Sequence, residues 1–269
     1  MKPQLISTTL VAMLLAAPVF AQSCADGKTL TDGTLTIATG NPAYYPWVMD
    51  DAPESGNGFE AAVAYALAEK MGFAAGNVAW VRTSFDQAIQ PGAKDFDINL
   101  QQFSITEDRD KVVDFSASYY TAPMAVLVRS ADKLEPTMAQ LKDLVWGAAA
   151  STTGLPMITD TIAPTTSTLI YDDNANIVEA MKAGQIDAAL FDLPTALYLS
   201  AVVLDGGQVL GQFPADEATD LDHFGMIMAE GSPLKECVDA ALSMMKADGT
   251  LGGIEATWLQ ETTGVPLIK

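Results

Sequence analysis

The sequence predicts an α/β protein of two lobes, each a mainly parallel sheet flanked by helices. Strand-like and helix-like segments alternate along nearly the whole chain, a pattern typical of sheets covered by helices. The two cysteines, Cys24 and Cys237, lie near opposite ends of the chain. A disulfide between them would place both ends in one lobe, so that the middle of the chain forms the second lobe.

The N-terminus, residues 1–21, has the pattern of a cleaved secretory signal peptide. Lys2 precedes an apolar run, and the stretch ends in Ala21, as signal peptidase requires. We therefore expect a periplasmic protein, and in an oxidising compartment Cys24 and Cys237 favour a disulfide. The alternative is a lipid anchor on Cys24, but the residues before it lack the leucine of a lipoprotein signal, and Cys237 would be left without a partner.

The composition excludes several classes of function. The 269 residues include 34 acidic and 14 basic side chains, a formal net charge of −20, which disfavours nucleic acid and anionic membranes as partners. No apolar run after the signal reaches the roughly 18 residues of a membrane span. No Ser/His/Asp set, metal-ligand cluster or cofactor motif is recognisable. We expect a monomer without cofactor or metal, and not an enzyme.

The first half of the chain predicts a series of strands, loops and helices. Apolar residues from Phe59 to Met71 recur at four-residue spacing, which predicts a helix. The other predicted elements are a strand at 34–39, a turn containing Asn41, an aromatic loop from Tyr44 to Trp47, a strand at 79–81, a short helix from Phe85 and a strand at 96–100.

A capping box follows that last strand. Ser104 with Glu107 three residues later predicts the start of a helix. The free N–H groups and the dipole of such a helix attract a carboxylate, and Arg109 in its first turns can bind the same anion through two hydrogen bonds. The alternative is an ordinary capped helix with a surface arginine.

The second half repeats this pattern. A strand at 146–150 leads to Thr152 and Thr153, which are placed to cap a helix, and a strand at 186–191 ends at Asp192 before Pro194. In open α/β sheets ligands bind at the carboxyl ends of strands, so the threonines suit a carboxylate and Asp192 suits an ammonium group. The alternative is that these side chains only cap helices. A later helix is predicted to begin at 232–233 and to carry Cys237.

The predicted domain boundaries follow from this order. Residues 22–125 form the first lobe, residues 227–269 return to it, and residues 126–226 form the second lobe. The chain would cross between lobes near Ala125–Val128 and Gly225–Met228, and these crossings would form a hinge.

Several spaced motifs together carry a resemblance. They are Pro42–Trp47 (PAYYPW), Gly58–Glu60 (GFE), Phe85-Asp86, Phe96–Ile98 (FDI), Ser104–Arg109 (SITEDR), Val113–Ser116 (VDFS) with Tyr119-Tyr120, Gly147–Thr153 and Asp187–Asp192. In this order the motifs resemble the polar amino-acid-binding proteins of bacterial ABC importers, with the type 2 periplasmic-binding-protein fold. The resemblance implies two lobes that close on one free amino acid, which is then delivered to a membrane permease, without catalysis.

The resemblance also implies roles for individual residues. Arg109 and Ser104, helped by Thr153, would bind the α-carboxylate of the ligand, and Asp192 would bind its α-ammonium. The walls of the side-chain pocket would be Tyr44 and Phe85, with Trp47 nearby.

The sequence departs from the family pattern at two places. Gln101 and Gln102 stand where small residues are common, so bulkier amides are expected in the pocket. Asn41 stands where members that select basic amino acids share an aspartate, so we expect a neutral or polar ligand rather than a basic one. The alternative function is an enzyme on the same fold, such as a lyase or dehydratase acting on an amino acid.

Overall fold

The computed structural model describes residues 24–131, 133–213, 221–259 and 264–269. It confirms the predicted fold class, because two open sheets are each flanked by helices. The predicted signal peptide at 1–21 lies outside the described residues. Within the described ranges, no helix is long and apolar enough to cross a membrane.

Strands and helices alternate as predicted over most of the chain, but the strands within 98–128 and those within 208–229 follow one another without a described α-helix between them. The strands are β1 (Leu35–Gly40), β2 (Val78–Thr83), β3 (Ile98–Asn99), β4 (Val113–Phe115), β5 (Tyr120–Val128), β6 (Trp146–Ala149), β7 (Leu169–Tyr171), β8 (Ala188–Asp192), β9 (Gln208–Gln212), β10 (Leu221–Phe224) and β11 (Ile227–Ala229). The α-helices are α1 (Phe59–Lys70), α2 (Phe85–Ala88), α3 (Met138–Leu141), α4 (Gly154–Pro156), α5 (Asn174–Lys182), α6 (Leu193–Tyr198), α7 (Lys235–Ala247) and α8 (Thr250–Trp258).

Both sheets are mixed, which corrects the expectation of mainly parallel pairing. In the first sheet, of order β2-β1-β3-β11-β4, β1 runs parallel to its two neighbours, and β11 runs antiparallel to both of its own. In the second sheet, of order β10-β5-β8-β6-β7 with β9 also on β5, β6 has parallel neighbours and β5 has antiparallel ones. The antiparallel pairs all involve β5 or β11, which are close to the crossings between lobes.

The core of the first lobe brings Ala25, near the N-terminus, together with α7 and α8, whereas Ile268, near the C-terminus, packs in the second core. Helix α7 buries the apolar face that its spacing predicts, and it packs against α1 and α8. The predicted disulfide between Cys24 and Cys237 is present, with the two Cα atoms 5.6 Å apart. Before α1, Gly58 has a φ of 105°, and a Cβ there would lie 2.5 Å from the carbonyl oxygen of Trp47. Only glycine fits this close approach.

The two lobes are joined along β5 and β10. Residues 120–123 of β5 pair antiparallel with residues 221–224 of β10. Ala122 on β5 packs in the first core, whereas Met124 packs in the second. The chain therefore passes from one core to the other within β5. The lobe boundaries at 125/126 and 226/227 stay a prediction.

The helix predicted at the Ser104 capping box does not form. The Ser104 backbone makes an antiparallel bridge with Phe224, and the Ile105 N–H donates to the His223 carbonyl at 2.8 Å. This pairing holds the segment extended, and only a 3₁₀ turn follows at Arg109–Lys111. Pairing with a distant strand thus overrides the local capping signal.

The threonine cap before α4 is also absent. The helix begins directly after Thr153, as predicted, but the Thr153 side chain accepts no capping hydrogen bond. The Thr152 hydroxyl instead donates to the Ala149 carbonyl at 2.8 Å. Both hydroxyls serve contacts other than the helix N-terminus, and that of Thr153 faces the cleft described next.

Candidate functional site

A cleft of about 340 Å³ lies between the two lobes. Its wall includes every predicted binding residue except Trp47, together with acidic side chains that were not among the predicted binding residues. The predicted residues that line it are Asn41, Tyr44, Phe85, Gln101, Gln102, Ser104, Arg109, Thr152, Thr153 and Asp192, and the other acidic side chains are Asp86, Asp172, Asp173 and Asp222.

Arg109 is the basic side chain of this wall, and it spans the two lobes. Its guanidinium donates to the carbonyl oxygens of Ser104, at 2.8 Å, and Ser151, at 2.7 Å. It also lies over the Phe85 ring, 5.2 Å from the ring centroid, where cation–π attraction helps to fix it. Burial lowers the pKa of Arg109, and the side chain stays charged because an arginine pKa starts above 12.

Two hydroxyl groups meet beside Arg109. The Ser104 Oγ lies 3.3 Å from the Thr153 Oγ1 across the cleft, so the lobes bring together two of the three side chains predicted to bind a carboxylate and place the third nearby. The Ser104 side chain reaches this position although the predicted helix is absent. An extended backbone directs the hydroxyl into the cleft instead of toward a helix N-terminus.

Asp222 lies in the same cluster and was missed by sequence reasoning. The Thr153 hydroxyl is 3.2 Å and 3.3 Å from its two carboxylate oxygens. Burial raises the pKa of Asp222, while hydrogen bonds from Ser104 and Thr153 and the charge of Arg109 oppose the rise. No local pattern identifies this residue, because its partners are far away in sequence.

Asp192 lies at the end of β8, as predicted. Its Oδ1 accepts a hydrogen bond of 2.8 Å from the Thr195 N–H, so the expected capping role is present. Burial raises the pKa of Asp192 to about 7, and the charge of Asp222 adds to the rise. A cation beside Asp192 would lower that pKa and gain a charged partner. The residue also faces the cleft.

Two buried oxygen atoms in the wall lack hydrogen-bond partners. They are the Oε1 of Gln101, a residue only 7% exposed, and the Oδ1 of Asp86. Leaving a buried acceptor unsatisfied costs about 1–3 kcal/mol. Both atoms would be satisfied by a ligand that carries N–H or O–H donors.

Gln102 is held in a left-handed backbone conformation with a φ of 53°. Its N–H donates to the Glu60 Oε1 at 2.8 Å, and its side-chain amide donates to the other Glu60 oxygen. Tyr119 also donates its hydroxyl to Glu60. Burial raises the pKa of Glu60 to about 7. Glu60 therefore supports the cleft wall from behind.

Tyr44 reaches from the first lobe to the start of α5. Burial and then the charge of Asp173 raise its pKa to about 12, and the Ala175 N–H donates to it. The hydroxyl is thus neutral, and the ring can form a wall of the cleft as predicted.

Trp47 does not line the cleft. It is fully buried in the first core, and its Nε1–H donates to the Thr195 Oγ1 of the second lobe at 2.8 Å. Nearby, the rings of Tyr45 and Tyr198 stack with centroids 4.7 Å apart. These contacts join the lobes beside the cleft, so the structure has a closed arrangement. No pattern in the sequence indicates Thr195 as a partner of Trp47.

The remaining chemistry of the site is limited. Among the described residues, no group of three or more His, Cys, Asp or Glu side chains is arranged to hold a metal ion. The site instead combines one guanidinium, several hydroxyls and several carboxyl groups around a small volume. Such an enclosed space with a few convergent polar groups is typical of small-molecule binding.

The fold and the cleft together define a two-lobed protein that binds a small molecule. The chain belongs to the bacterial extracellular solute-binding proteins, family 3, whose family model matches residues 35–261.

Named relatives agree with this family. The L-cystine-binding protein TcyJ of Escherichia coli is 26% identical over 255 residues, which cover 92% of each chain. The ABC transporter glutamine-binding protein GlnH of Bacillus subtilis is 31% identical over 168 residues, which cover 62% of this chain and 59% of GlnH. The histidine-binding periplasmic protein of Salmonella typhimurium is 28% identical over 215 residues, 78% of this chain and 82% of the relative.

Solved structures show the same architecture. An ancestral arginine-binding protein bound to glutamine superposes with a TM-score of 0.71 and 28% identity, and the match covers 86% of this chain and 100% of the ancestral protein. The ancestral amino acid-binding protein AncCDT-1, a precursor of cyclohexadienyl dehydratase, superposes with a TM-score of 0.68 and 28% identity, covering 85% of this chain and 96% of that one.

Proposed function

We propose that this protein captures one free amino acid in the periplasm and delivers it to an ABC importer in the membrane. The observation that carries the proposal is a cleft with a guanidinium and two hydroxyls at one place and the Asp192 carboxylate in the same wall. The α-carboxylate would bind Arg109, Ser104 and Thr153, and the α-ammonium would bind Asp192. Relatives named for glutamine, cystine and histidine support an amino acid as the ligand.

The size of the cleft supports a small ligand. Its volume of about 340 Å³ is at the low end of the range of about 300–1,000 Å³ found for small-molecule sites. A single amino acid fits such a volume, whereas a peptide would need an opening through the contacts between the lobes.

Binding would proceed by closure of the lobes. In this proposal the ligand stabilises the closed form because it contacts groups of both lobes at once, which an open form cannot offer. The bonds from Arg109 to Ser151 and from Trp47 to Thr195 cross between the lobes and would form together with the ligand contacts. The paired β5 and β10 would serve as the hinge.

The side chain of the ligand would carry N–H donors. Gln101 and Asp86 each place a buried oxygen without a partner in the cleft wall, and such acceptors need donors. Asn41, which lines the same cleft, brings an amide in place of an acid. Our expectation of a neutral, polar ligand rather than a basic one stays a prediction, and an amide side chain satisfies it.

A thermal-shift screen against the twenty amino acids tests the proposal. A ligand present at 100 times its Kd should add about 2.7 kcal/mol to the free energy of unfolding. Stabilisation by amino acids with N–H donors in the side chain, and not by alanine or leucine, is the expected result. Absence of stabilisation by any of the twenty would contradict amino-acid capture.

Replacement of Arg109 tests the carboxylate site. Arg109→Ala should weaken binding by about 2–5 kcal/mol, roughly 30- to several-thousand-fold in Kd, because the ligand carboxylate would be buried without its partner. Arg129→Ala is the matched control, since Arg129 pairs with Asp187 on the surface at 3.2 Å and does not line the cleft. A Kd for Arg109→Ala within threefold of the parent would remove this assignment.

The alternative proposal is an enzyme acting on an amino acid. It has one supporting observation, the partly buried Asp192 in the cleft wall, whose pKa is raised to about 7, because perturbed acids are common in active sites. Incubation with each stabilising amino acid, followed by chromatography, would detect a product. Recovery of the unchanged amino acid supports transport, and turnover would support the enzyme.

A further inference from the structure

Asp222 lies beside the place where the proposed function puts the α-carboxylate of the ligand. Its two oxygens lie 3.2 Å and 3.3 Å from the Thr153 hydroxyl, and that hydroxyl lies 3.3 Å from the Ser104 hydroxyl. Both hydroxyls belong to the group proposed to bind the α-carboxylate. A ligand bound there would bring its own carboxylate next to that of Asp222.

Arg109 is poorly placed to neutralise both carboxylates. Its guanidinium already donates to the backbone carbonyls of Ser104 and Ser151, and it makes no ion pair within 4.0 Å among those recorded for the described residues. One positive charge therefore faces two potential negative charges in a buried space. Two carboxylates that share such a site do not both remain ionised, and one binds a proton.

We propose that Asp222 takes up a proton from solvent when the amino acid binds, so that ligand capture by this protein is coupled to proton uptake. The inference rests on the proposed function. The proton binds to one Asp222 carboxylate oxygen, which then donates its O–H to the carboxylate of the ligand, and the Thr153 hydroxyl turns its single proton from Asp222 to the same ligand carboxylate. A repulsive pair of anions becomes a hydrogen-bonded pair.

The surroundings of Asp222 set the direction of this coupling. Burial already raises its pKa, Arg109 and His223 lower it, and Asp222 in turn acts on Asp192. A ligand carboxylate adds a negative charge and raises the pKa of Asp222 further, which draws in a proton. The ligand ammonium acts in the opposite direction at Asp192, because it favours the ionised form and releases a proton.

Calorimetry in buffers of different ionisation enthalpy measures the number of protons exchanged on binding. The titrations use the full mature protein and the amino acid that stabilises it most, from about pH 5 to about pH 8. The parent and Asp222→Asn are compared, because the difference between them isolates Asp222 from Asp192. Asp205→Asn is the control for net charge, since Asp205 is exposed and does not line the cleft.

The expected result is a larger proton uptake in the parent than in Asp222→Asn. At pH values where Asp222 is ionised in the free protein and protonated in the complex, binding takes up one proton at Asp222. In that range the ratio of the parent Kd to the Asp222→Asn Kd should increase about tenfold for each unit by which the pH rises. Near pH 8 the variant should bind more tightly than the parent, by about tenfold or more. Asp205→Asn should match the parent.

Three outcomes would overturn the inference. Equal proton numbers for parent and Asp222→Asn would show that Asp222 does not titrate on binding. Net proton release by the parent that Asp222→Asn abolishes would show that Asp222 binds a cationic group of the ligand instead. Failure of every amino acid to bind at any pH would remove the proposed function together with the inference, whereas the first two outcomes leave amino-acid binding intact. If Asp222→Asn does not fold, the parent near pH 8 still tests the inference, because Asp192, with a pKa of about 7, is already mostly ionised there and releases few protons; net proton uptake by the parent at that pH supports the inference, and its absence contradicts it.

Discussion

The hydrogen bond between Trp47 and Thr195 offers a direct test of lobe closure. The indole Nε1–H donates to the Thr195 hydroxyl at 2.8 Å; Trp47 is 0% exposed and Thr195 is 5% exposed. Replacing Thr195 by valine keeps the shape of the side chain and removes the acceptor. In the closed form the indole N–H is then buried without a partner, at a cost of about 1–3 kcal/mol.

The effect on binding depends on whether this cost applies to the closed form alone or to the open form as well. If the bond forms only on closure, Thr195→Val destabilises the closed form and leaves the open form unchanged. The Kd should then rise by about 5- to 150-fold. The Thr195 hydroxyl also forms a hydrogen bond with Asp192 that holds down its pKa, and loss of this bond weakens the ammonium site in the same direction.

Calorimetry with the best ligand from the thermal screen measures the Kd, and urea unfolding without ligand measures the stability of the lobes. Thr195→Ser is the matched control, because it keeps the hydroxyl and should bind within about threefold of the parent. A Kd for Thr195→Val equal to that of Thr195→Ser would refute the reasoning. An equal loss in the free energy of unfolding without ligand would place the bond in the free protein and separate it from closure.

Three further predictions concern stability. Burial raises the pKa of Glu60 from 4.5 to about 7 on folding, so the contribution of Glu60 to the free energy of unfolding falls as the pH increases from about 4.5 through 7. Between these pH values the free energy of unfolding, measured in urea, should decrease by about 3 kcal/mol more for the parent than for Glu60→Gln. Equal decreases would contradict this prediction. Replacing Cys24 and Cys237 together by serine should cost about 2–5 kcal/mol, and reductant should reproduce this loss in the parent but not in the variant. Gly58→Ala should cost about 2–3 kcal/mol because its Cβ would meet backbone at 2.5 Å, whereas Gly33→Ala, with positive φ but open space around it, should cost about 1 kcal/mol; equal melting temperatures would refute the role of the close contact.

In the Ser104 segment the predicted helix is wrong, although the residues singled out there still line the cleft. The capping box predicted a helix whose N-terminus binds an anion, but the Gly225 N–H donates to the Phe103 carbonyl at 3.0 Å and the Ile105 N–H donates to the His223 carbonyl at 2.8 Å. The segment is therefore extended. Arg109 still reaches the cleft, because a 3₁₀ turn begins at it and the Thr106 hydroxyl accepts from its N–H at 3.2 Å.

The residues of the aromatic loop have different roles in the structure. The family resemblance implied that Trp47 lies near the ligand pocket; the structure buries its ring in the first core, where it packs edge-on against Phe59 with 5.6 Å between the ring centroids. Tyr44 from the same loop does line the cleft. One aromatic residue of this loop thus packs in the core and another lines the cleft, and their spacing in the sequence does not show which residue does which.

The sequence by itself determined the alternation of strands and helices, the disulfide and the positions of Arg109 and Asp192 at the cleft. These features follow from the periodicity of apolar residues, from the presence of only two cysteines and from motifs within a few residues of each other. Only the tertiary structure decided that Asp222 meets Thr153, 69 residues earlier, and that Trp47 meets Thr195, 148 residues later. The first contact depends on where β10 pairs in the second sheet, and the second on how the two lobes face each other; local sequence carries no record of either arrangement.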